Sequence, residues 1–183
     1  MTQHNRPTLQ GLRVVLRAPC ADDVAARFAL GNTPEIQAMF GADPSQVRPI
    51  TQHAAEAWVQ NQINETHSWI IEVDDHLIGS VRLHSVNHAD QRANIAIGIL
   101  DPNALGKGYG TEAMQLLAHH AFDTLGLHRL TCRVLAFNDR ATAAYEKVGF
   151  VVEGRERESA LIGKTRHDDL IMGLLSSDLE ARS

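Results

Sequence analysis

Residues 105–113 read Leu-Gly-Lys-Gly-Tyr-Gly-Thr-Glu-Ala, and they lie between a predicted strand, 93–100, and the clearest predicted helix, 112–125. Glycine at every second position lets the backbone bend tightly and leaves several N–H groups uncovered by side chains. A helix that starts near Thr111 adds further free N–H groups and the positive end of its dipole. The loop therefore predicts a cradle for a phosphate or a pyrophosphate, with a loop that only turns the chain as the simpler alternative.

Two other phosphate-binding motifs are candidates for this loop. A P-loop requires Gly-Lys-Ser/Thr, whereas Lys107 is followed by Gly108. Residues 108–113 do fit GxGxxA, the dinucleotide fingerprint, and Asp139 follows the next strand. That fingerprint opens from the first strand of a parallel βαβ unit, but this loop follows a predicted antiparallel meander. A dinucleotide-dependent oxidoreductase is therefore kept as an alternative.

The rest of the chain switches between strand and helix periodicity. Leu12, Val14 and Leu16 alternate as in a half-buried strand, whereas the segment 32–50 is rich in proline and reads as irregular. Strands are predicted at 12–16, 69–73, 77–84, 93–100, 130–135, 151–157 and 167–174. Helices are predicted at 22–30, 51–63, 112–125 and 138–148.

This order, β-α-α-β-β-β-α-β-α-β-β, predicts a single α/β (α+β) domain. Its central sheet is expected to be mixed, with about seven strands and helices on both faces. We place the domain at 12–175, between an N-terminal extension, 1–11, and a C-terminal tail, 176–183.

Composition excludes several classes of protein. Of 183 residues, 44% are hydrophobic and 21% are charged, which suits one folded core. A net charge of −5 without a run of Lys or Arg argues against a nucleic-acid partner. The N-terminus lacks the apolar run of a signal peptide, and no stretch approaches the roughly 20 apolar residues that span a bilayer. We expect a soluble, cytoplasmic protein with no membrane partner.

Neither the cysteines nor the histidines form a metal-binding pattern. The two cysteines lie far apart in the sequence and make no CxxC motif. Among ten histidines, His119 and His120 are adjacent and cannot share a helix face, and His84 and His88 fall at a strand end and a turn. We therefore expect no metal site.

A second motif brings in a family resemblance. The stretch 138–150, Asn-Asp-Arg-Ala-Thr-Ala-Ala-Tyr-Glu-Lys-Val-Gly-Phe, together with the glycine loop and the strand before it, resembles the GNAT (Gcn5-related) N-acetyltransferases. The nearest groups are the Rim-type ribosomal-protein N-acetyltransferases and the spermidine N-acetyltransferases. Their loop reads Gln/Arg-x-x-Gly-x-Gly/Ala, with Gly108 and Gly110 here in the glycine places and Leu105 where Gln or Arg is usual. The element order matches from Leu12 to Leu174.

The resemblance implies an acetyl-CoA site between two parallel strands that diverge at one end. Backbone groups without ladder partners there can bond the pantetheine arm, and Gly98 is expected at a β-bulge. The pyrophosphate is expected on the glycine loop. The residues that the resemblance assigns to acetyl-CoA are Ile97, Gly98, Ile99, Leu105, Gly106, Lys107, Gly108, Tyr109, Gly110, Thr111, Asn138 and Lys147.

The resemblance also implies direct attack of an amine on the thioester. Tyr145 matches a tyrosine that protonates the departing thiolate, although packing within its helix is the simpler role. Asn94 stands where many relatives carry glutamate; an amide has no useful basicity, so Asn94 is assigned to substrate positioning. Glu72, His84, His120 or bulk-connected water are left open as the base.

The acceptor implied is a primary amine, either the α-amine of a protein N-terminus or a small molecule. A CoA-binding regulatory module without catalysis is a second alternative, because the carboxylate expected at Asn94 is missing. A homodimer also stays open.

Overall fold

Eight strands form one continuous sheet in the computed structural model, which describes residues 6–180. They are β1 (Leu9–Gln10), β2 (Val15–Arg17), β3 (Ser68–Val73), β4 (His76–Asn87), β5 (Arg92–Ile99), β6 (Arg129–Leu135), β7 (Val151–Ile162) and β8 (Thr165–Leu175). Their spatial order is β1-β2-β3-β4-β5-β6-β8-β7. Every neighbouring pair is antiparallel except β5–β6, which is parallel. The predicted mixed sheet is confirmed, with eight strands instead of about seven.

The additional strand comes from the predicted strand 12–16, whose limits are wrong. Leu12 is 92% exposed, because a turn closed by the Gly11 N–H on the Val14 carbonyl oxygen (2.9 Å) separates β1 from β2. Val14 and Leu16 are fully buried, as the alternation predicted. The alternation of Leu12, Val14 and Leu16 therefore combined one exposed turn residue with two core residues.

The helices are α1 (Asp23–Leu30), α2 (Pro34–Ala38), α3 (Gln52–Asn64), α4 (Tyr109–His119), α5 (Asp139–Val148) and α6 (Ser176–Glu180). Thr51 caps α3 by accepting from the Ala54 N–H, and Asn138 caps α5 by accepting from the Ala141 N–H. The segment 32–50 is not wholly irregular, since it contains α2 and a 3₁₀ turn, Pro44–Gln46. A π-helical turn, His120–Thr124, continues α4.

Helices cover both faces of the sheet, as predicted. On one face, the α4 residues Met114 and Leu117 pack in one core cluster with Val81 and Ile95. On the other face, α3 buries Ala55 and Val59, and the α3 residue Gln62 accepts from the β3 hydroxyl of Ser68. Alternate residues of β4 and β5 therefore face opposite helical layers.

The ends of the chain extend the fold beyond the predicted domain limits. β1 lies within the predicted extension, 1–11, and α6 lies within the predicted tail, 176–183. Residues 1–5 and 181–183 are outside the described range, and the limits 12–175 stay a prediction. The predicted last two strands do pair antiparallel across Gly163, and both are longer than expected.

Candidate active site

The two parallel strands part after three residue pairs. Arg92, Ala93 and Asn94 of β5 pair with residues 129–131 of β6. Beyond Asn94, β5 pairs only with β4, and β6 pairs only with β8. A gap therefore opens in the sheet between residues 95–99 and 132–135.

Main-chain groups of β5 face this gap. The Leu100 N–H donates to the Ile78 carbonyl oxygen on β4 (2.8 Å), and the β4–β5 register runs without interruption from Ile99 to Asn94. Because hydrogen-bonding direction alternates along a strand, the N–H groups of Ile97 and Ile99 point toward the gap. These groups have the placement expected for binding an extended polar arm.

Gly98 is not in a β-bulge, and this expectation is wrong. The only irregularity in the described β4–β5 pairing lies beyond His84, and the backbone at Gly98 is in regular register with Ser80. A Cβ built on Gly98 would approach Phe40 Cζ at 3.1 Å. Gly98 therefore makes room for the Phe40 ring on the face opposite α4.

The glycine loop ends in a helix that begins at Tyr109, three residues before the predicted start at residue 112. Gly108 is the N-cap of α4, with a φ of 85° that favours glycine, and Glu112 donates the first helical hydrogen bond, to the Gly108 carbonyl oxygen. Within residues 6–180, the N–H groups from Gly106 to Thr111 donate to no other backbone or side-chain group. Six consecutive donors at the positive end of a helix have the arrangement that the predicted anion cradle requires, and residues 106–111 are called the cradle below.

Glu112 anchors the first turn of α4 to the β1–β2 hairpin. Its carboxylate accepts from the N–H groups of Arg13 (2.7 Å) and Val14 (3.1 Å), and from Arg13 Nε (3.1 Å). Partial burial opposes ionisation, but these hydrogen bonds and the Arg13 charge outweigh it and lower the pKa of Glu112. The carboxylate is therefore held by donors behind the cradle.

Two cavities meet at the gap. A cavity of about 240 Å³ runs along the cradle and is lined by ten of the twelve predicted acetyl-CoA residues; Gly98 and Lys107 are the exceptions. A wider cleft of about 660 Å³ lies on the other side and contains Asn94. Tyr145 and Asn138 line both cavities, so they stand where the two join.

Tyr145 is 5% exposed, and its ring packs edge-on against Phe150 with centroids 5.2 Å apart. Burial, together with the neighbouring Cys132, raises the pKa of Tyr145. Burial also raises the pKa of the Cys132 thiol, to about 12. The phenol therefore keeps its proton at neutral pH, and a thiolate in the same surroundings is strongly basic.

Asn138 caps α5 and also bonds to the segment after α2, whereas its contact with CoA stays a prediction. Its Oδ1 accepts from the Ala141 N–H (3.1 Å) as the α5 cap, while its Nδ2 donates to the Met39 carbonyl oxygen (3.4 Å). This bond to Met39 ties the segment that follows α2 to the helix that carries Tyr145. Lys147, on the same helix, is exposed beside the cradle.

Of the three side chains left open as a base, only His84 reaches the site. Glu72 is paired with Arg17 (2.5 Å), and His120 packs edge-on against Trp69. His84 lines the wider cleft directly across the strand pair from Asn94. Burial and the charge of Arg82 lower the pKa of His84, against the opposing charge of Glu65.

Sequence reasoning missed the contributions of Arg13 and Cys132. Arg13 reaches the cradle from a hairpin almost one hundred residues away, and Cys132 faces the gap only because β6 diverges there. No local pattern marks either residue.

Within residues 6–180, no cluster of three or more His, Cys, Asp or Glu side chains could hold a metal ion. The described helices include none with the length and apolar character needed to cross a membrane.

A sheet that divides beside a glycine-rich helix N-terminus is the arrangement that the GNAT resemblance implied, and comparison with known proteins agrees. Residues 13–151 match the acetyltransferase (GNAT) domain, and the chain belongs to the GNAT acetyltransferase family. The resemblance inferred from the two motifs is thereby confirmed.

Individual relatives give the same assignment. The spermidine N(1)-acetyltransferase of Escherichia coli strain K12 is 37% identical over 86 residues, which cover 47% of this chain and 46% of that protein. The chain thus matches about half the length of that relative. The spermidine N-acetyltransferase of Vibrio cholerae, solved with CoA and spermine, has a TM-score of 0.76 at 25% identity, covering 93% of this chain and 99% of that one. A GNAT-family acetyltransferase from Bacillus anthracis has a TM-score of 0.80 at 18% identity, covering 93% and 99% of the two chains.

Proposed function

We propose that this protein is an acetyl-CoA-dependent N-acetyltransferase that acetylates a primary amine, either a protein N-terminal α-amine or a small molecule. The observation that carries this proposal is the continuity of the anion cradle with the gap between β5 and β6. A diphosphate on the N–H groups of 106–111 directs a pantetheine arm along Ile97 and Ile99 into the gap. The Vibrio cholerae relative, which was solved with CoA, supports the same ligand.

The reaction balances with groups that the site provides. The amine nitrogen attacks the thioester carbonyl carbon, a C–N bond forms, and the C–S bond breaks to release a thiolate. The Ile97 N–H, which faces the gap, is the proposed donor to the carbonyl oxygen as negative charge develops there. One amine proton leaves to a base, and the thiolate gains a proton from an acid.

Tyr145 is the proposed acid. It stands at the junction of the two cavities, where the sulfur departs, and its raised pKa keeps the phenol protonated. The raised pKa of Cys132 indicates that thiolates at this position are poorly solvated and accept protons readily. Asn94 lines the wider cleft, which we propose as the acceptor cleft, and is proposed to orient the incoming amine.

His84 is the proposed base. An alkylammonium ion has a pKa near 10 and must lose a proton before its nitrogen can attack. His84 lines the cleft, and its lowered pKa leaves the imidazole neutral and able to accept that proton, directly or through one water.

The two alternatives account for less of the structure. The dinucleotide fold requires several parallel strands around its ligand, whereas the described sheet contains one parallel pair, which separates. A catalytically silent CoA module leaves the open acceptor cleft beside Asn94 without a role.

The deciding experiment incubates the protein with acetyl-CoA and a panel of peptides, polyamines and aminoglycosides, and follows free thiol. Thiol release that depends on the amine, together with an N-acetylated product by mass spectrometry, supports the enzyme. Binding of CoA without turnover of any amine favours the regulatory module. A calorimetric titration in which NAD binds and CoA does not favours the oxidoreductase. The oligomeric state stays a prediction.

A further inference from the structure

A third cavity, of about 370 Å³, lies under α1 and α3 on the face of the sheet opposite α4. It adjoins the acceptor cleft, because Phe40, Ala96 and Ile97 line both cavities. Its charged lining consists of two arginines, Arg27 and Arg82, and no carboxylate. The acceptor side of the molecule is therefore locally cationic in a chain with a net charge of −5.

Arg27 is a buried cation without a counter-ion. It is 5% exposed and forms no ion pair within residues 6–180. Nη1 donates to the Gly31 carbonyl oxygen and Nη2 to Asn32 Oδ1, both at 2.8 Å, while Nε has no hydrogen-bond partner. Its Cζ lies 5.5 Å from the centroid of the Trp58 ring, which also lines the cavity. A buried guanidinium without a counter-ion is costly, and a nearby anion offsets that cost.

Arg82 brings a second positive charge to the same cavity. Its Nη1 is 3.7 Å from Glu65 Oε1, and both side chains are about 40% exposed, so this ion pair is weak. Arg82 lies two residues from His84 on β4, and both side chains face α1 and α3.

Among the described residues, none that lines the acceptor cleft supplies a free carboxylate that could hold a polyamine. Asp169 is its acidic lining residue, and this side chain is buried and already bonded to Arg133 Nε and Ser159 Oγ, both at 2.8 Å. At the β5 position where a glutamate was expected, Asn94 carries no charge.

We propose that the acceptor is a primary amine that also carries a carboxylate, which binds at Arg27 and Arg82 while the amine lies beside His84. This proposal rests on the function proposed above and specifies its substrate class. Arg82 is one two-residue step along β4 from His84, which corresponds to about 7 Å between the amine and the carboxylate. Arginine suits this role because its planar fork can hold a carboxylate through two hydrogen bonds.

The test compares acceptors matched in length: 6-aminohexanoate, its amide, and 1,6-diaminohexane, with acetyl-CoA and thiol release. A peptide pair with glutamate or glutamine at the second position distinguishes a peptide source of the carboxylate from a small molecule. We expect kcat/KM for the carboxylate member of at least one pair to exceed that of its neutral partner about tenfold or more. Calorimetry of CoA-saturated protein with 6-aminohexanoate supplies a binding readout without turnover.

Substitutions of the two arginines test whether a preference for carboxylate-bearing amines comes from the third cavity. Arg27→Gln and Arg82→Gln should each reduce the ratio of kcat/KM values toward one, while Arg27→Lys should retain part of it. Arg82→Gln and Arg27→Lys keep the test valid if the loss of Arg27 impairs folding. Arg92→Gln, an exposed arginine that lines none of these cavities, should leave the preference unchanged. A preference for the diamine overturns this proposal and leaves the acetyltransferase in place, whereas failure of every amine together with absent CoA binding overturns the proposed function itself.

Discussion

Arg13 Nη1 donates to the carbonyl oxygen of Lys107 at 3.0 Å, across 94 residues of sequence. Because a trans peptide directs its C=O and N–H in opposite directions, this bond turns the Gly108 N–H away from Arg13 and toward the cradle. The Arg13 guanidinium carbon also lies 5.0 Å from the centroid of the Tyr109 ring. The β1–β2 hairpin therefore supports the anion cradle from behind.

Removing this support should weaken CoA binding without affecting the chemical step. For Arg13→Met, we expect the Kd for CoA, measured by calorimetry, to rise about threefold to tenfold, equivalent to roughly 0.7–1.4 kcal/mol. The kcat at saturating acetyl-CoA should stay within about twofold. Arg92→Gln serves as a control for the loss of one surface positive charge. A Kd unchanged in Arg13→Met would show that the cradle keeps its shape unaided.

Gly108→Val tests the cradle itself. At a φ of 85°, a residue with a Cβ is strained by about 1–2 kcal/mol, and the added atoms would also lie 3.3 Å from Arg13 Nη2. We expect CoA affinity to fall at least about tenfold. Gly154→Ala is the matched control, because its Cβ meets open space at an ordinary φ, and it should bind CoA like the natural chain. Equal affinity of both variants would remove the loop from the phosphate site.

The sequence predicted the parts of the site that are local in the chain. The glycine loop and the helix predicted at 138–148 each depend on residues a few positions apart, and both lie where expected. The eight-stranded count was missed because the two-residue strand β1 is too short to show periodicity. Helix α4 begins early because Gly108, not a polar side chain, occupies its N-cap.

The contacts that shape the ligand-facing surfaces could not be predicted in this way. The support of Lys107 by Arg13 and the unpaired charge of Arg27 depend on how distant elements pack. The choice among the candidate bases is also hidden from the sequence, because no local pattern ranks Glu72, His84 and His120 against one another. Sheet pairing alone decides that His84 lies opposite Asn94.

Tyr145→Phe should lower kcat while preserving the site. The substitution removes the proposed proton donor but keeps the ring that packs on Phe150. We expect kcat to fall about 100-fold, with the Kd for CoA within twofold and little change in Tm. Single-turnover thiol release and calorimetry measure the two quantities separately. An unaltered kcat assigns Tyr145 to packing alone.

The pH profile should reveal His84. Its neutral form is the proposed base, so kcat/KM for the amine should decrease as pH falls through the pKa of His84, which lies below its ordinary value of 6.5. His84→Gln should remove this acidic limb and lower the plateau. Burial lowers the pKa of His84 most, the charge of Arg82 lowers it further, and the charge of Glu65 raises it. Arg82→Gln removes a charge that lowers this pKa, so the acidic limb should move to higher pH. If the limb is unchanged in His84→Gln, it reports another group.

Asn138 joins the stability of α5 to the geometry of the acceptor side, and two substitutions separate these roles. Asn138→Ala removes both the cap and the bond to Met39, so we expect a loss of about 1 kcal/mol, or roughly 2–4 °C in Tm, and a raised KM for the amine. Asn138→Asp keeps an oxygen that accepts from the Ala141 N–H, but it loses the N–H that donates to Met39. Its Tm should stay near that of the natural chain while KM for the amine rises, because the segment after α2 is released from α5. If both variants lower Tm equally and leave KM unchanged, the bond to Met39 has no part in shaping the acceptor cleft.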